Sequence, residues 1–461
     1  MGLTAMRRSV LALVSVGSCF VIVGCVRGAR SNIQASQAHA PVSSVQDTSL
    51  PPLVLDPPPG YYEGWWKRAH AVPADRNAAR EYAQAVAVYV DDPDSRAAAL
   101  VDQQDWDERT RTRVTGWVEQ NGESLRLVER ATGMPDCYLE RHHTFDLKPM
   151  RDEPPWVPAL RRLAKCVLAR GRLRALQGDT TATAADAATL LVIARHHEQQ
   201  QRCFYQGNAV KIRLMAYGLL ASILTPENEA DWAAIRQVIE DADAAVQSPA
   251  ALLPEMMIEQ FNWVARYAGD IDGDGRLDQI TLPDSAPDKL SPPRTAAELE
   301  AEIRDVLIAW DELYALDYPS FERRVTTVSK LSGPPGSVTE ALCAPLLLEG
   351  CYRRFKYVQY ARNWCRAMLC VHAYQSEHGH WPNTLAIALN DEACFAEDPY
   401  GETLQWEVRQ DCPCLYSRKR IEASEFITSP AWSPPGCARY GHSENSAGRS
   451  RLALPGQLRN R

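Results

Sequence analysis

Residues 158–196 read PALRRLAKCVLARGRLRALQGDTTATAADAATLLVIARH, and this stretch decides the fold class. In its first half, apolar residues recur every three or four positions, which places them on one face of a helix. The residues of that face are Leu160, Leu163, Ala164, Val167, Leu168 and Leu173. Gly178 and Asp179 interrupt the pattern, and a second helical period runs from Thr181 to His196. Because helices joined by so short a turn pack as antiparallel neighbours, the stretch predicts a helical hairpin.

The same period covers most of the chain from residue 61 to about residue 340. It recurs in Asn208–Leu224 and in the segment that follows Thr225-Pro226, a predicted N-cap with proline at the first helical position. It also covers Arg76–Val90, where the predicted buried face comprises Ala79, Tyr82, Ala83, Val86 and Val90. Thr295 and Glu298 have the spacing of a capping box. The apolar stripe that follows this box is Leu299, Ile303, Val306, Leu307, Trp310 and Leu313.

Alternating strand patterns are scarce before residue 400, so we predict a mainly α protein built as a bundle of helical hairpins. A tetratricopeptide-like arrangement stays open, because the Gly178-Asp179 turn suits it but no reliable 34-residue repeat is present. The chain has 461 residues, 45% of them hydrophobic and 23% charged, with a mean hydropathy of −0.32. This composition excludes a disordered, collagen-like or multi-span membrane protein. A net charge of −8 argues against a nucleic-acid partner.

The first 25 residues predict export and anchoring. Arg7 and Arg8 precede an apolar run of about fourteen residues, Val10–Val23, which is too short to span a hydrocarbon core of about 30 Å. The run ends in Ile22-Val23-Gly24-Cys25, which resembles the lipoprotein box of bacteria. That resemblance implies a signal peptide over residues 1–24, acylation of Cys25, and membrane lipid as a partner. An ordinary signal peptide or an uncleaved anchor is the alternative.

The composition of the segments before and after the predicted helical and C-terminal domains predicts a tether and a tail. Residues 25–60 are rich in Ser, Gln, Ala and Pro, which indicates a flexible tether that stiffens toward polyproline II. Residues 418–461 contain eight basic and three acidic residues and predict a disordered basic tail. Val26, directly after the anchor, is not acidic, which favours the outer membrane. The expected location is therefore the cell envelope, with the body facing the periplasm or the exterior.

An Asp-rich segment at residues 270–281, within the predicted helical domain 61–340, has the spacing of a calcium loop. Carboxylates fall at loop positions 1, 3, 5 and 9, which are Asp270, Asp272, Asp274 and Asp278. The backbone carbonyl of Arg276 falls at position 7. Thr281 stands at position 12 in place of the usual acidic ligand, and the residues after it read as extended, so this is not a helix–loop–helix EF-hand. Because carboxylates this close repel each other without a cation, we predict structural calcium here. An acidic turn without an ion is the alternative.

Residues 341–417 predict a module with one long helix and a small sheet. The helical period runs from Tyr352 to Ser376, Gly379 is placed to end it, and short strands follow at 403–408 and 414–417. The motifs resemble the soluble part of the type II secretion major pseudopilin, and the matching residues are Tyr374, Gly379, Trp381, Pro382, Leu385, Asp398, Pro399, Tyr400 and Gly401. The whole chain resembles uncharacterised helical bacterial lipoproteins that end in such a module. The resemblance implies a fold and no activity, and the polar start of the module disfavours filament assembly.

Histidines and cysteines supply the remaining candidate sites. Four of them have the ligand types of tetrahedral zinc without the spacing of a zinc finger: His378, His380, Cys412 and Cys414. His372 falls on an apolar stripe, which predicts a core histidine. His196-His197-Glu198 does not fit His-Glu-x-x-His, so the pattern of a zinc protease is not met.

The sequence names no reaction, since it contains no nucleophile elbow, phosphate-binding loop or dinucleotide fingerprint. It favours a membrane-anchored envelope lipoprotein that acts as a non-catalytic binding or scaffold protein, with an envelope protein as one candidate partner. Two alternatives stay open. One is a hydrolase acting on an envelope polymer, and the other is an accessory component of a type II secretion-like system.

Overall fold

The computed structural model describes residues 71–92, 97–101, 106–139, 156–200, 203–243, 250, 253, 268–269, 276–280, 288–329, 345–390, 396–409 and 412–417. Every described residue belongs to the second of two units of the chain, Asp56–Arg461. The predicted signal peptide, Cys25, the tether and the basic tail lie outside the described residues.

The second unit is mainly helical, which confirms the predicted fold class at that level. Its described α-helices are α1 (Ala79–Ala87), α2 (Ala97–Leu100), α3 (Glu108–Gln120), α4 (Gly122–Thr132), α5 (Trp156–Gln177), α6 (Thr180–Glu198), α7 (Cys203–Ile223), α8 (Trp232–Asp243), α9 (Ala296–Tyr314), α10 (Tyr318–Ser329), α11 (Pro345–His378) and α12 (Leu385–Leu389). Short 3₁₀ turns cover Ala74–Arg76 and Pro226–Asp231. Within the described ranges, none of these helices is both long and apolar enough to cross a membrane.

The predicted hairpin forms the centre of the core. Gly178 joins α5 to α6 with a φ of +78°, a conformation that favours glycine. The side chain of Asp179 then caps α6 by accepting a hydrogen bond from the backbone N–H of Ala182 at 3.0 Å. Helix α6 packs against both α5 and α7, and α11 covers α7. Helix α5 approaches α7 closely, because Gly171 lies directly against the side chain of Leu219.

Helix α11 and the residues after it form the C-terminal part of the described chain. The helix is longer than its predicted span, Tyr352 to Ser376, and it ends as predicted at Gly379, whose φ is +70°. The apolar run after it forms the short helix α12. Two antiparallel strands follow, β4 (Gln405–Arg409) and β5 (Cys412–Tyr416), in the register Trp406 opposite Leu415. The indole N–H of Trp364 donates to the Leu415 carbonyl at 3.0 Å and fastens this hairpin to α11.

The predicted helix over Arg76–Val90 was wrong at both ends. Helix α1 stops at Ala87, and both Ala83 and Val90 are exposed rather than part of the buried face. The side-chain amide of Asn121 explains the early end. Its oxygen accepts from the N–H of Val90 and its nitrogen donates to the Val90 carbonyl, both at 2.9 Å. These tertiary bonds hold Val90 outside the helix, so the local helical period is overridden.

The chain also contains a three-stranded antiparallel sheet before residue 400 that the strand patterns did not reveal. Its strands are β1 (Ala268–Gly269), β2 (Leu277–Ile280) and β3 (Asp288–Arg294), in the order β1-β2-β3. Two of them are too short to show alternation, and β3 contains two prolines, which are atypical of strands. The residues after Thr225 differ as well, since a 3₁₀ turn precedes α8 and the Thr225 side chain makes no capping bond.

Candidate functional site

Two predicted ligands of the Asp-rich segment lie within the described residues. Asp278 belongs to β2, and Arg276 is the residue directly before this strand. The exposed guanidinium of Arg276 lies 3.7 Å from a carboxylate oxygen of Glu298, at the start of α9. The other three predicted ligands, Asp270, Asp272 and Asp274, lie outside the described residues, as does Cys25.

The strand before the Asp-rich segment, β1, is paired with β2, which forms residues 277–280 of the segment itself. Ala268 lies opposite Ile280 and Gly269 lies opposite Gln279, in antiparallel register. Residues 270–278 therefore begin and end at the same end of this sheet. The predicted extended stretch starts at Ile280, the last residue of β2, and the rest of it lies outside the described residues.

The His196-His197-Glu198 run, which the sequence excluded as a zinc-protease motif, lies at the buried end of α6. The hydrogen bonds of His196 define its tautomer. Its Nε2 lies 3.0 Å from the Met134 carbonyl, which can only accept, so Nε2 carries the hydrogen and Nδ1 accepts from the Tyr82 hydroxyl at 2.9 Å. Burial and the neighbouring charge of Arg195 lower the pKa of His196 to about 3, so the ring is neutral near pH 7.

His197 is equally buried and also neutral, because burial and the charge of Arg161 lower its pKa to about 3. The side-chain nitrogen of Asn208 donates to Nε2 of His197 at 3.1 Å, and the Asn208 oxygen accepts from Nε of Arg161 at 2.8 Å. This arrangement assigns the hydrogen of His197 to Nδ1, which has no hydrogen-bond partner among the described residues. His197 therefore links α6 to α7 and, through Asn208, to α5.

Glu198 forms the strongest bond of the run. Its two carboxylate oxygens accept from Nε and Nη2 of Arg213, each at 2.8 Å, and both side chains are almost completely buried. Burial by itself would lower the pKa of Arg213. The charge and hydrogen bonds of Glu198, together with the contribution of Tyr217, outweigh burial and raise this pKa above its ordinary value. This bidentate pair joins α6 to α7.

Gln199 and Gln200 extend the buried cluster to the chain that follows α4. Gln199 accepts from the Cys137 N–H at 2.7 Å, and Gln200 accepts from the Leu139 N–H at 3.1 Å. The Gln200 nitrogen also donates to the carbonyls of Cys137 and His196. The end of α6 thus satisfies the backbone of a non-helical segment that is otherwise buried among helices. Residues 196–200 therefore join α6 to α7 and to the segment that follows α4.

A second cluster of rings, which runs from the surface to the core, lies at the end of α11. The rings of Tyr374 and His378 stack, with centroids 4.0 Å apart and an interplanar angle of 8°. The ring of His380 meets the edge of the Tyr374 ring at 5.7 Å and lies 6.1 Å from that of His378. Trp381 continues the cluster toward the core, where its ring contacts His372 at 5.4 Å. We call these five side chains the α11 ring cluster.

The histidines of this cluster differ in environment. His372 is buried between Trp232 and Trp381, as the apolar stripe predicted. Burial lowers the pKa of His372 to about 4, although the Glu227 carboxylate and the Leu224 carbonyl act in the opposite direction. His378 and His380 are exposed.

The described residues do not bring the candidate zinc ligands together. Among the described residues, no group of three or more His, Cys, Asp or Glu side chains could hold a metal ion, so Cys414 does not join His378 and His380. Both histidines and Tyr374 stand out in the sequence, but their ring contacts were not predicted. The signal was present, because residues 374 and 378 are four apart and therefore neighbours on one helix face.

Comparisons with known proteins return no relative: no protein-family model, no curated protein and no solved structure matches the chain.

Proposed function

We propose that the protein is a membrane-anchored envelope lipoprotein that acts as a non-catalytic binding or scaffold protein. The observation that carries this proposal is the way the helical body uses its buried ionisable groups. Glu198 is paired with Arg213, and Asp186 is paired with Arg170 and Arg174. Side chains bonded in this way hold helices together and are not directed at a substrate. The exposed surface is then left for binding.

The anchor is proposed from the sequence. A basic start, a short apolar run and Cys25 in a lipoprotein-box context support cleavage before Cys25 and its acylation. More than one acyl chain anchors a protein stably, since each buried CH₂ contributes about 0.8 kcal/mol. The predicted tether over residues 25–60 would keep the helical body close to the membrane and free to turn.

We also propose that the Asp-rich segment binds one structural calcium ion. The oxygen spacing of Asp270, Asp272, Asp274 and Asp278 supports this, together with the Arg276 carbonyl. The pairing of Gly269 with Gln279 supports it further, because it holds the two ends of residues 270–278 side by side.

The C-terminal part of the described chain is proposed to be a pseudopilin-like module. The order of elements supports this: a long helix that ends at Gly379, a turn at Asp398, and a two-stranded sheet. In the turn, the Asp398 carboxylate accepts from the N–H groups of Tyr400 and Glu402, each at 2.9 Å. A tetratricopeptide-like stacking of the earlier hairpins is supported only by the α5–α6 turn.

Anchoring is tested by fractionating cells that express the full chain or its Cys25→Ala variant. We expect the unaltered chain to stay with the membranes in high salt and to be released by detergent. The variant should incorporate no labelled fatty acid, while keeping the same helical circular dichroism. Equal incorporation of labelled fatty acid by both chains, or none by either, would contradict an acyl anchor on Cys25.

Binding is tested by placing a photo-crosslinking residue at three exposed apolar positions of the full chain, Leu176, Ile308 and Ile387. A discrete adduct from one position, and not from the other two, supports a defined binding surface. If that adduct contains secretion components, the accessory role in secretion is supported. If no position gives an adduct and the purified chain releases fragments from envelope polymers, the scaffold proposal is overturned and the hydrolase alternative replaces it.

A further inference from the structure

The two exposed histidines of the α11 ring cluster lie close enough to share one ligand. His378 is the last residue of α11 and His380 lies two residues later, with Gly379 between them at a φ of +70°. Their ring centroids are 6.1 Å apart and their planes are inclined at 61°. Both side chains are exposed to solvent.

The hydrogen bonds of both rings select the same tautomer. Nδ1 of His378 lies 3.0 Å from the Tyr374 carbonyl, and Nδ1 of His380 lies 3.0 Å from the Trp381 carbonyl. Because a carbonyl only accepts, each Nδ1 carries the hydrogen, and in the neutral ring each Nε2 is left with its lone pair. Histidines that bind metals in proteins show the same arrangement, with one nitrogen donating to a carbonyl or carboxylate and the other on the metal.

The distance between the rings fits one shared metal ion. A metal lies about 2.0–2.1 Å from a ligating nitrogen, and the nitrogen lies about 1.2 Å from the centre of its ring, so two rings on one ion have centres at most about 6.6 Å apart. At a tetrahedral angle the same lengths give about 5.2–5.4 Å. The observed 6.1 Å lies between these values.

Tyr374 is the positioning residue of the pair. Its face stacks on His378 at 4.0 Å and its edge meets His380 at 5.7 Å, which restricts the rotamers of both rings before any ligand arrives. Imidazole nitrogens suit zinc, copper and nickel ions, and copper(II) binds a given nitrogen site most tightly. No third protein ligand joins within the described part of the chain. The remaining coordination positions would therefore be filled by water or by a ligand from solution.

We propose that His378 and His380 form a surface site for a borderline divalent transition metal, bound through both Nε2 atoms and positioned by Tyr374. The site is independent of the acyl anchor and of the calcium segment. It differs from the four-residue zinc site considered from the sequence, because neither cysteine takes part.

The test uses the full chain in detergent with copper(II) as the probe. Equilibrium dialysis measures affinity, and pulsed electron paramagnetic resonance reports the number of coordinated imidazoles. We expect two imidazoles in the unaltered chain. His378→Gln or His380→Gln should leave one imidazole and weaken binding by about tenfold or more, and Tyr374→Ala should weaken it less while keeping two.

The double variant His142→Gln/His143→Gln is the matched control, since it removes two neighbouring histidines elsewhere in the chain. It should retain the affinity and the two-imidazole signal. Because the three substituted side chains of the cluster lie at the surface or half-buried, melting curves without metal should be close to those of the unaltered chain. Undiminished two-imidazole binding after His378→Gln/His380→Gln, or its loss in the control, would overturn the proposal.

Discussion

The Glu198–Arg213 pair gives the sharpest test of the buried cluster. Replacing Glu198 with Ala leaves the guanidinium of Arg213, whose side chain is 1% exposed, without its bidentate partner. The two lost bonds, each 2.8 Å long, contribute about 1.5–3 kcal/mol apiece as charged hydrogen bonds. Removal of one member of a buried pair typically costs about 3–5 kcal/mol. We therefore expect the free energy of unfolding of Glu198→Ala to fall by about 3–5 kcal/mol.

Urea unfolding of the full chain, followed by helical circular dichroism, measures this loss. Two further variants separate the unpaired charge from the lost contact. In Glu198→Leu/Arg213→Met both charges are absent, and most of the stability should return, because apolar pairs of similar volume replace buried ion pairs well. Glu123→Ala, which breaks the exposed pair with Arg126, is the control and should change little. If Glu198→Ala were no less stable than Glu123→Ala, or if the double variant were as unstable as the single one, the assigned role of this pair would be wrong.

Three other predictions follow from the described residues. Burial lowers the pKa of His196 and His197 to about 3, so below pH 6.5 the unfolded chain binds protons that the folded chain does not. The free energy of unfolding should therefore decrease as the pH is lowered from about 6.5 to about 3, with a slope that approaches about 1.4 kcal/mol per pH unit for each ring. Urea unfolding at pH 7.5 and 5 should show a smaller fall in His196→Asn, and equal slopes would refute this. Gly171→Ala forces a Cβ into a helix neighbour and should cost about 1–3 kcal/mol, whereas Gly116→Ala, with open space around it, should be neutral or stabilising; melts of the same order for both would contradict the packing account. Chelation should lower the melting temperature of the full chain but not of Asp272→Asn, and a chain that contains no calcium by elemental analysis would end the calcium proposal.

The parts of the fold that depend on local pattern were predictable. The α5–α6 hairpin follows from a 3.6-residue period and a Gly-Asp turn, and both signals act within a few residues. The capping box at Thr295 and Glu298 is equally local, and both of its hydrogen bonds are present. Local chemistry of this kind is readable because it does not depend on which other helix lies nearby.

The parts that depend on tertiary contacts were not predictable. Glu198 and Arg213 lie on different helices, and their pairing depends on how α6 crosses α7. Val90 follows a helical pattern in the sequence but is held outside the helix by Asn121, 31 residues away. The tautomers of His378 and His380 depend on the backbone carbonyls of Tyr374 and Trp381. The positions of these carbonyls depend on how the chain leaves α11 at Gly379, which the sequence pattern does not specify.

The most direct test of the proposed placement is the intact mass of the protein isolated from its native membranes. We predict a chain that begins at Cys25 and carries the added mass of acyl groups on that residue. A chain that retains Met1, or one that begins elsewhere and carries no lipid, would contradict the account.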